Sequence, residues 1–177
     1  MRMREVQLNP LIEFIHPIAS KGKSCSLLWD LRDPPSTVAR AVYALPQQYH
    51  GPGTEFATTP PISALRIVCD ILPYESWRIK ARNSEGITVR DVFEAIYNTL
   101  QVPLTDTELD GLSEKHRLRV QNAFEVRWRA ARQPVGERRR GMRRVDCLLG
   151  STTFAGLSMS DDSDFDCVLS LGRNSRA

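Results

Sequence analysis

Two stretches of strict alternation stand out in the middle of the chain. Leu65, Ile67 and Cys69 alternate with Arg66, Val68 and Asp70, and Trp77, Ile79 and Ala81 alternate with Arg78, Lys80 and Arg82. A period of two sends each set to its own face of a strand. The pair therefore predicts an antiparallel hairpin, joined through residues 71–76, with a basic outer face. The period then changes. Val89, Val92, Phe93, Ile96, Tyr97 and Leu100 recur at helical spacing and form one apolar stripe. Thr88 with Asp91 approximates a capping box at its start, and Pro103 stops it. Thr105 with Glu108 makes a second capping box, for a helix that restarts at Ser113 after Gly111 and runs to about Arg132.

The flanks read more weakly. Leu27, Trp29 and Leu31 alternate as in a half-buried strand over residues 26–32, and Asp33-Pro34-Pro35 ends it. The run from Leu11 to Ile15 lies between Pro10 and Pro17, which opposes a helix and favours an edge strand or a docked extended segment. Six Pro and Gly residues within 46–61 predict a long surface loop. A strand is expected over Arg144–Leu149, with two more extended pieces at 154–157 and 165–171. Together these predict an α+β domain, a mostly antiparallel sheet with two helices on one face. Hairpin, helix, then further strands is also the order of a β-grasp sheet, here with a long second helix inserted. Residues 1–24 are expected as an N-terminal arm packing on a single domain at 25–171, with 172–177 as a tail.

Composition narrows the class. The 177 residues are 41% hydrophobic and 25% charged, enough for a packed core. No apolar run approaches the roughly 18–20 residues of a membrane span. The basic start, Met1 to Glu5, lacks the apolar core of a secretory signal, so a cytoplasmic or nuclear protein is expected. Cys25, Cys69, Cys147 and Cys167 show no CxxC pair and read as reduced, buried thiols. The net charge of +3 hides an asymmetry. Residues 115–144 hold eleven Lys and Arg against Glu125 and Glu137, a local +9 that leaves −6 for the rest.

Most familiar sites fail on chemistry. Residues 17–24 approach a phosphate-binding loop, but Pro17 replaces the first glycine and a strand is expected to follow. Acidic residues alternate over 162–166, yet Cys167 and Arg173 stand where a calcium loop needs Gly and Glu. His16, His50 and His116 form no zinc-ligand set, and no activated-serine elbow occurs. No catalytic residue, metal or cofactor is implied. Arg127 is more informative, because it falls in the middle of the stripe of Val120, Ala123, Phe124 and Ala131. A guanidinium there needs a carboxylate, and Asp146 and Asp30 are the expected partners. With Trp29 these residues form a structural ion pair or a candidate pocket. Arg138, Arg139, Arg140, Arg143 and Arg144 are expected in an exposed loop, where they are possible anion contacts. No stacking aromatics accompany them, so nucleic acid is not the favoured partner.

Several segments, taken together, resemble one known family. They are Trp29 to Pro35, Ala57 to Pro61, Gly86 to Val92, Arg143 to Gly150 and Phe154 to Leu157, with Ala123-Phe124 and Arg127. The family is abundant in mushroom-forming fungi and catalogued as a domain of unknown function. The resemblance spans residues 8–157 and implies an intact intracellular domain of fungal origin, with no activity or cofactor attached. Composition and pattern favour a non-catalytic protein-interaction module, its partner met by sheet edges or by the aromatic-bearing segment from Tyr43 to Phe56. Two alternatives stand beside it. One is an enzyme or small-molecule binder with a pocket near Trp29, Arg127 and Asp146; the other is nonspecific anion or RNA binding through Arg138–Arg144.

Overall fold

Leu65, Ile67, Ile79 and Ala81 are buried while Ala64, Arg66, Lys80 and Arg82 face solvent, so the alternation in sequence becomes a two-faced hairpin. The computed structural model describes residues 6–15, 27–40, 53–160 and 163–173. Short strands β1 (Gln7–Leu8), β2 (Leu27–Leu28), β3 (Ala39–Arg40) and β4 (Thr58–Thr59) precede that hairpin, β5 (Ala64–Val68) and β6 (Ile79–Arg82). Helices α1 (Val89–Leu100), α2 (Asp106–Asp110), α3 (Glu114–Ala130) and α4 (Pro134–Arg139) follow. A 3₁₀ segment, Arg144–Leu148, then leads into β7 (Thr153–Ser160) and β8 (Ser163–Gly172).

The main sheet runs β6-β5-β8-β7. Both hairpins are antiparallel, but the central pair β5 and β8 is parallel, with Arg66, Ile67 and Val68 opposite Asp166, Cys167 and Val168. A parallel pair needs a crossover connection, and the α1–α4 insertion supplies it. Hairpin, crossover helix, hairpin with a parallel centre is the connectivity of a β-grasp sheet within the α+β class. Two small ribbons, β1-β4 and β2-β3, sit outside it.

Helix α1 covers the sheet by burying Val89, Val92, Phe93, Ile96 and Leu100. Its start is fixed by the Asp91 carboxylate, which accepts from the Thr88 backbone and hydroxyl and from Asn83 Nδ2, each at 2.8 Å. Trp29, Phe93 and Phe154 meet with ring centroids 5.1–5.9 Å apart at the centre of the core. Such pairs contribute roughly 0.5–1.5 kcal/mol beyond their area. Helix α3 packs mainly on the 3₁₀ segment and α4. Its Val120 joins Trp77 and Cys147 in a second, smaller core.

Three local expectations change. The strand expected over Arg144–Leu149 is the 3₁₀ segment instead, ending at Leu149 with φ 57° and ψ −116°. Val145, Asp146, Cys147 and Leu148 are all buried, which no alternating strand permits. The Asp146 side chain turns the chain there by accepting from the Arg143 backbone N–H at 2.8 Å. Over residues 27–32 only Leu27–Leu28 forms a strand, although Leu27, Trp29 and Leu31 are buried as the alternation requires. Trp29 O and Leu31 N bond instead to Phe154 and Thr152 at the start of β7. The break at Gly111 with a restart capped by Ser113 is observed, and α3 ends at Ala130 rather than Arg132.

The segment over residues 6–15 docks on the domain, but not as the extended run expected at 11–15: Ile12 N and Glu13 N both donate to Asn9 O and turn the chain before Glu13 bridges Leu157. Phe14 N donates to Leu157 O and Leu157 N to Ile12 O, each at 2.7 Å, and Leu8 and Ile12 join the core. Close passage is possible because residue 156 is glycine, with φ 125°; an added Cβ there would lie 2.5 Å from Phe14 Cα. The phosphate-loop near miss at 17–24, His16, Cys25, Tyr43, His50 and Asp162 lie outside the described residues.

Candidate functional site

Arg127 is carried inward by the last turn of α3, and only 7% of its surface is exposed. It spends its whole fork internally. Nε and Nη2 donate to the two Asp146 carboxylate oxygens at 2.7 and 2.9 Å, Nη1 donates to Glu137 Oε2 at 2.7 Å, and Nη2 also reaches Gly141 O at 3.1 Å. Its Phe124 neighbour lies under the guanidinium, 5.4 Å away. Planar bidentate pairing of this kind is among the stronger charge-assisted bonds. Asp146 is buried and holds the 3₁₀ turn at the same time, so one ion pair ties α3 to the segment that precedes β7.

The other expected residues separate. Asp30 pairs with Arg32 rather than Arg127, accepting from Arg32 Nη2 at 2.7 Å and Nε at 3.0 Å. Partial burial alone would raise the Asp30 carboxyl, but the Arg32 bonds and charge outweigh it and hold it below its ordinary value. Trp29 belongs to the core and donates its indole N–H to Asp33 O at 2.9 Å.

The exposed arginine loop is corrected in part: Arg138, Arg139 and Arg140 are exposed, but on a helix and its cap, and Arg143 and Arg144 are not. Arg138 and Arg139 lie on α4, Arg140 caps it, and Arg143 and Arg144 turn inward at the 3₁₀ segment. Arg143, 7% exposed, donates to Gln101 Oε1 at 2.6 Å and Glu137 Oε2 at 2.7 Å. Arg144 lies 4.7 Å over the Trp77 ring, and Arg138 5.3 Å over Trp128. Glu137, which sequence reasoning passed over, is the common acceptor: Arg140 Nη1 reaches its other oxygen at 3.1 Å. Its only signal was a single Glu set among the arginines of residues 132–144.

Two depressions flank Arg32. A groove of about 480 Å³ runs between α3 and the 3₁₀ segment, lined by Leu118, Arg119, Val126, Val145, Leu149 and Asp146 among others. Leu118 and Val126 are 59% and 55% exposed there, on the flank of α3 beside the Arg127 stripe. Leu149, with its positive φ, forms part of the far wall. A non-glycine residue in that region stores strain on the order of 1–3 kcal/mol. The second depression, a cleft of about 630 Å³, includes Asp30, Arg32, Arg127, Arg132, Glu137 and Arg143.

The thiols are poor nucleophiles. Burial first, then nearby carboxylate charge, pushes Cys147 and Cys167 up to about 12 each, and burial also raises Cys69. All three are free, with Cys167 Sγ 3.4 Å from Met159 Sδ. Among the described residues, no group of three or more His, Cys, Asp or Glu side chains is placed to hold a metal ion. No helix of the described residues is long and apolar enough to cross a membrane. Asp166 is paired with Arg66 across the sheet.

No curated protein and no solved structure matches the chain. The sequence profile described as "Family of unknown function (DUF6699)" matches residues 27–164, a span that holds the Arg127–Asp146 pair, both depressions and most of the main sheet. The chain belongs to that family.

Proposed function

We propose that this domain is a non-catalytic, intracellular protein-interaction module that docks a partner segment in the groove between α3 and the 3₁₀ segment. The observation that carries this reading is the exposure of Leu118 and Val126, 59% and 55%, beside Val145 and Leu149. Single exposed apolar residues are ordinary, but apolar side chains lining both walls of one groove mark a binding surface. The rim chooses the partner's chemistry. Arg119 lines the groove and has no ion partner among the described residues, and Lys115 stands one turn before it on the same helix, whereas Arg117 is paired with Asp110. The occupant is therefore a segment that carries apolar side chains flanked by carboxylates.

The other readings have less to stand on. For a small molecule near Trp29, Arg127 and Asp146, the tryptophan lies in the core and the ion pair is satisfied internally. For RNA, Arg143 and Arg144 point inward and Arg138 lies against Trp128. The family resemblance supports a fungal, cytoplasmic or nuclear setting.

Affinity capture from the native organism, run in parallel with the Leu118→Asp/Val126→Asp variant, tests the groove. Partners retained by the unaltered chain are expected to be lost by the variant while its circular dichroism is unchanged. A recombinant partner fragment should then bind through an acidic, apolar-bearing segment. The same partners on both proteins, or a dimer of the chain that the variant dissolves in sedimentation, overturns the reading.

A further inference from the structure

We propose that the arginine cage around Glu137 is a binding site for a phosphate monoester, with the Glu137 carboxylate as its built-in occupant. Arg127 Nη1 and Arg143 Nη2 both donate to Glu137 Oε2 at 2.7 Å, and Arg140 Nη1 donates to Oε1 at 3.1 Å. Three guanidiniums thus converge on one carboxylate of single charge. Arg132 lines the same cleft and has no ion partner among the described residues. The cleft wall holds Arg32, Arg127, Arg132, Arg140 and Arg143 against Asp30, Asp33 and Glu137, with Asp146 behind Arg127. With Glu137 swung out, these groups carry a surplus of two positive charges, which matches the roughly −1.5 to −2 of a phosphate monoester at neutral pH. A phosphate also offers three terminal oxygens to three guanidinium forks, where the carboxylate offers two.

The occupant is held in a way that permits exchange. Helix α4 has six residues and buries none of them, its start has no side-chain cap, and Val135 is 66% exposed. What fastens it is Glu137, with Arg138 against Trp128 and, just past the cap, Gly141 O accepting from Arg127 Nη2. Releasing α4 therefore uncovers little apolar surface, and an incoming phosphate replaces the ion pairs that are lost. Arg127 keeps its Asp146 partner and its bond to Gly141 O throughout, so the end of α4 that carries Arg140 is held in the cage while Glu137 and the first turn of the helix swing out.

The test titrates inorganic phosphate and O-phosphoserine into the full chain, Glu137→Ala and Glu137→Gln, with sodium chloride holding ionic strength constant. Thermal midpoint reads binding, and the Trp128 indole N–H resonance reads the departure of α4. Both ligands are expected to bind the two variants about ten-fold or more tightly than the unaltered chain, because no internal competitor remains. They should shift the Trp128 signal of the unaltered chain at saturation. Arg140→Gln, an exposed change, should weaken phosphate several-fold in the Glu137→Ala background. O-phosphoserine that outbinds inorganic phosphate assigns the ligand to a phosphate monoester on a larger group, whereas equal binding assigns it to the phosphate group alone. Either result supports the site. Variants that bind no better than the unaltered chain, stabilisation that chloride reproduces, or an RNA oligonucleotide that competes equally per phosphate would each overturn it. So would failure of both variants to fold even in saturating phosphate, since a replaceable carboxylate must be replaceable.

Discussion

Trp77 and Arg144 are stacked, the guanidinium 4.7 Å above the ring centre, and both turn to Glu108, which accepts the Trp77 indole N–H at 2.8 Å. The same Glu108 caps α2 by accepting from Thr105 N at 2.9 Å, and Arg144 lies 3.6 Å from it. One carboxylate therefore joins the end of the first hairpin, the short helix and the 3₁₀ segment around the second core.

This predicts an acid limit. Burial raises Glu108, but the bonds from Thr105 and Trp77 and the Arg144 charge outweigh it and hold its carboxyl below the ordinary value of 4.5. Asp91 is likewise held below 3.8, where burial is outweighed by Asn83 and Thr88. A depressed carboxylate adds stability above its unfolded pKa, and that stability is lost as pH falls through the folded one. The melting temperature should be level near neutrality and drop below about pH 4.5. Glu108→Gln should melt lower at neutral pH and lose less on acidification. An equal acid slope in both proteins would remove Glu108 from the account.

Replacing Arg127 by Met leaves the buried Asp146 without its counter-charge. Breaking a buried pair typically costs about 3–5 kcal/mol. Urea denaturation of Arg127→Met should show a loss in that range. The double variant with Asp146→Asn should recover part of it, about 1 kcal/mol or more, because the stranded charge is gone. A loss within about 0.5 kcal/mol, the usual range for exposed sites, would mean the pair contributes little.

How much of this network was legible in sequence depends on range. Arg127 stands out because a charge in an apolar helical stripe violates the local pattern and calls for a carboxylate, and of the two expected partners, Asp146 and Asp30, the first is the one that pairs. The capping boxes at Thr88 and Thr105 are local chemistry and could be read residue by residue. Glu137 could not, since its three arginine partners come together only when α4 folds back on α3. The 3₁₀ segment was hidden for another reason: Val145, Cys147 and Leu149 imitate a period of two, and only the simultaneous burial of Asp146 and Leu148 shows that the backbone turns. Leu118 and Val126 went unremarked because the stripe containing Arg127 accounted for the apolar face of α3.

Thiol chemistry should report folding. With Cys147 and Cys167 pushed up to about 12, almost none of either is thiolate at pH 8. In a Cys25→Ser background, labelling by Ellman's reagent should be slow and limited by opening of the structure, then rapid and complete in denaturant. Immediate reaction of a full equivalent in the native protein would contradict the burial of these sulfurs.

Gly156→Ala should free the N-terminal segment, because the new Cβ would meet Phe14 Cα at 2.5 Å on a backbone with φ 125°. Strain at such a position costs on the order of 1–3 kcal/mol. Hydrogen exchange should accelerate at the amides of Phe14 and Leu157 while the β5–β6 hairpin keeps its protection. Unchanged exchange at Phe14 would show that the segment accommodates the methyl group.

The parallel pairing at the centre of the sheet also sets an order of events at the ribosome. Arg66 and Asp166 are 100 residues apart in the chain, so β5 is made long before the strand that flanks it. At roughly 5–20 residues per second, that interval lasts about 5–20 s. Throughout it, the first hairpin and α1 exist with one strand edge unpaired and Ile67 without its Cys167 neighbour. Arg66, Lys80 and Arg82 line the solvent face of that nascent hairpin, and such charges discourage edge-to-edge pairing with other chains. The basic face is thus in the chain before β8 is made to cover the edge of β5.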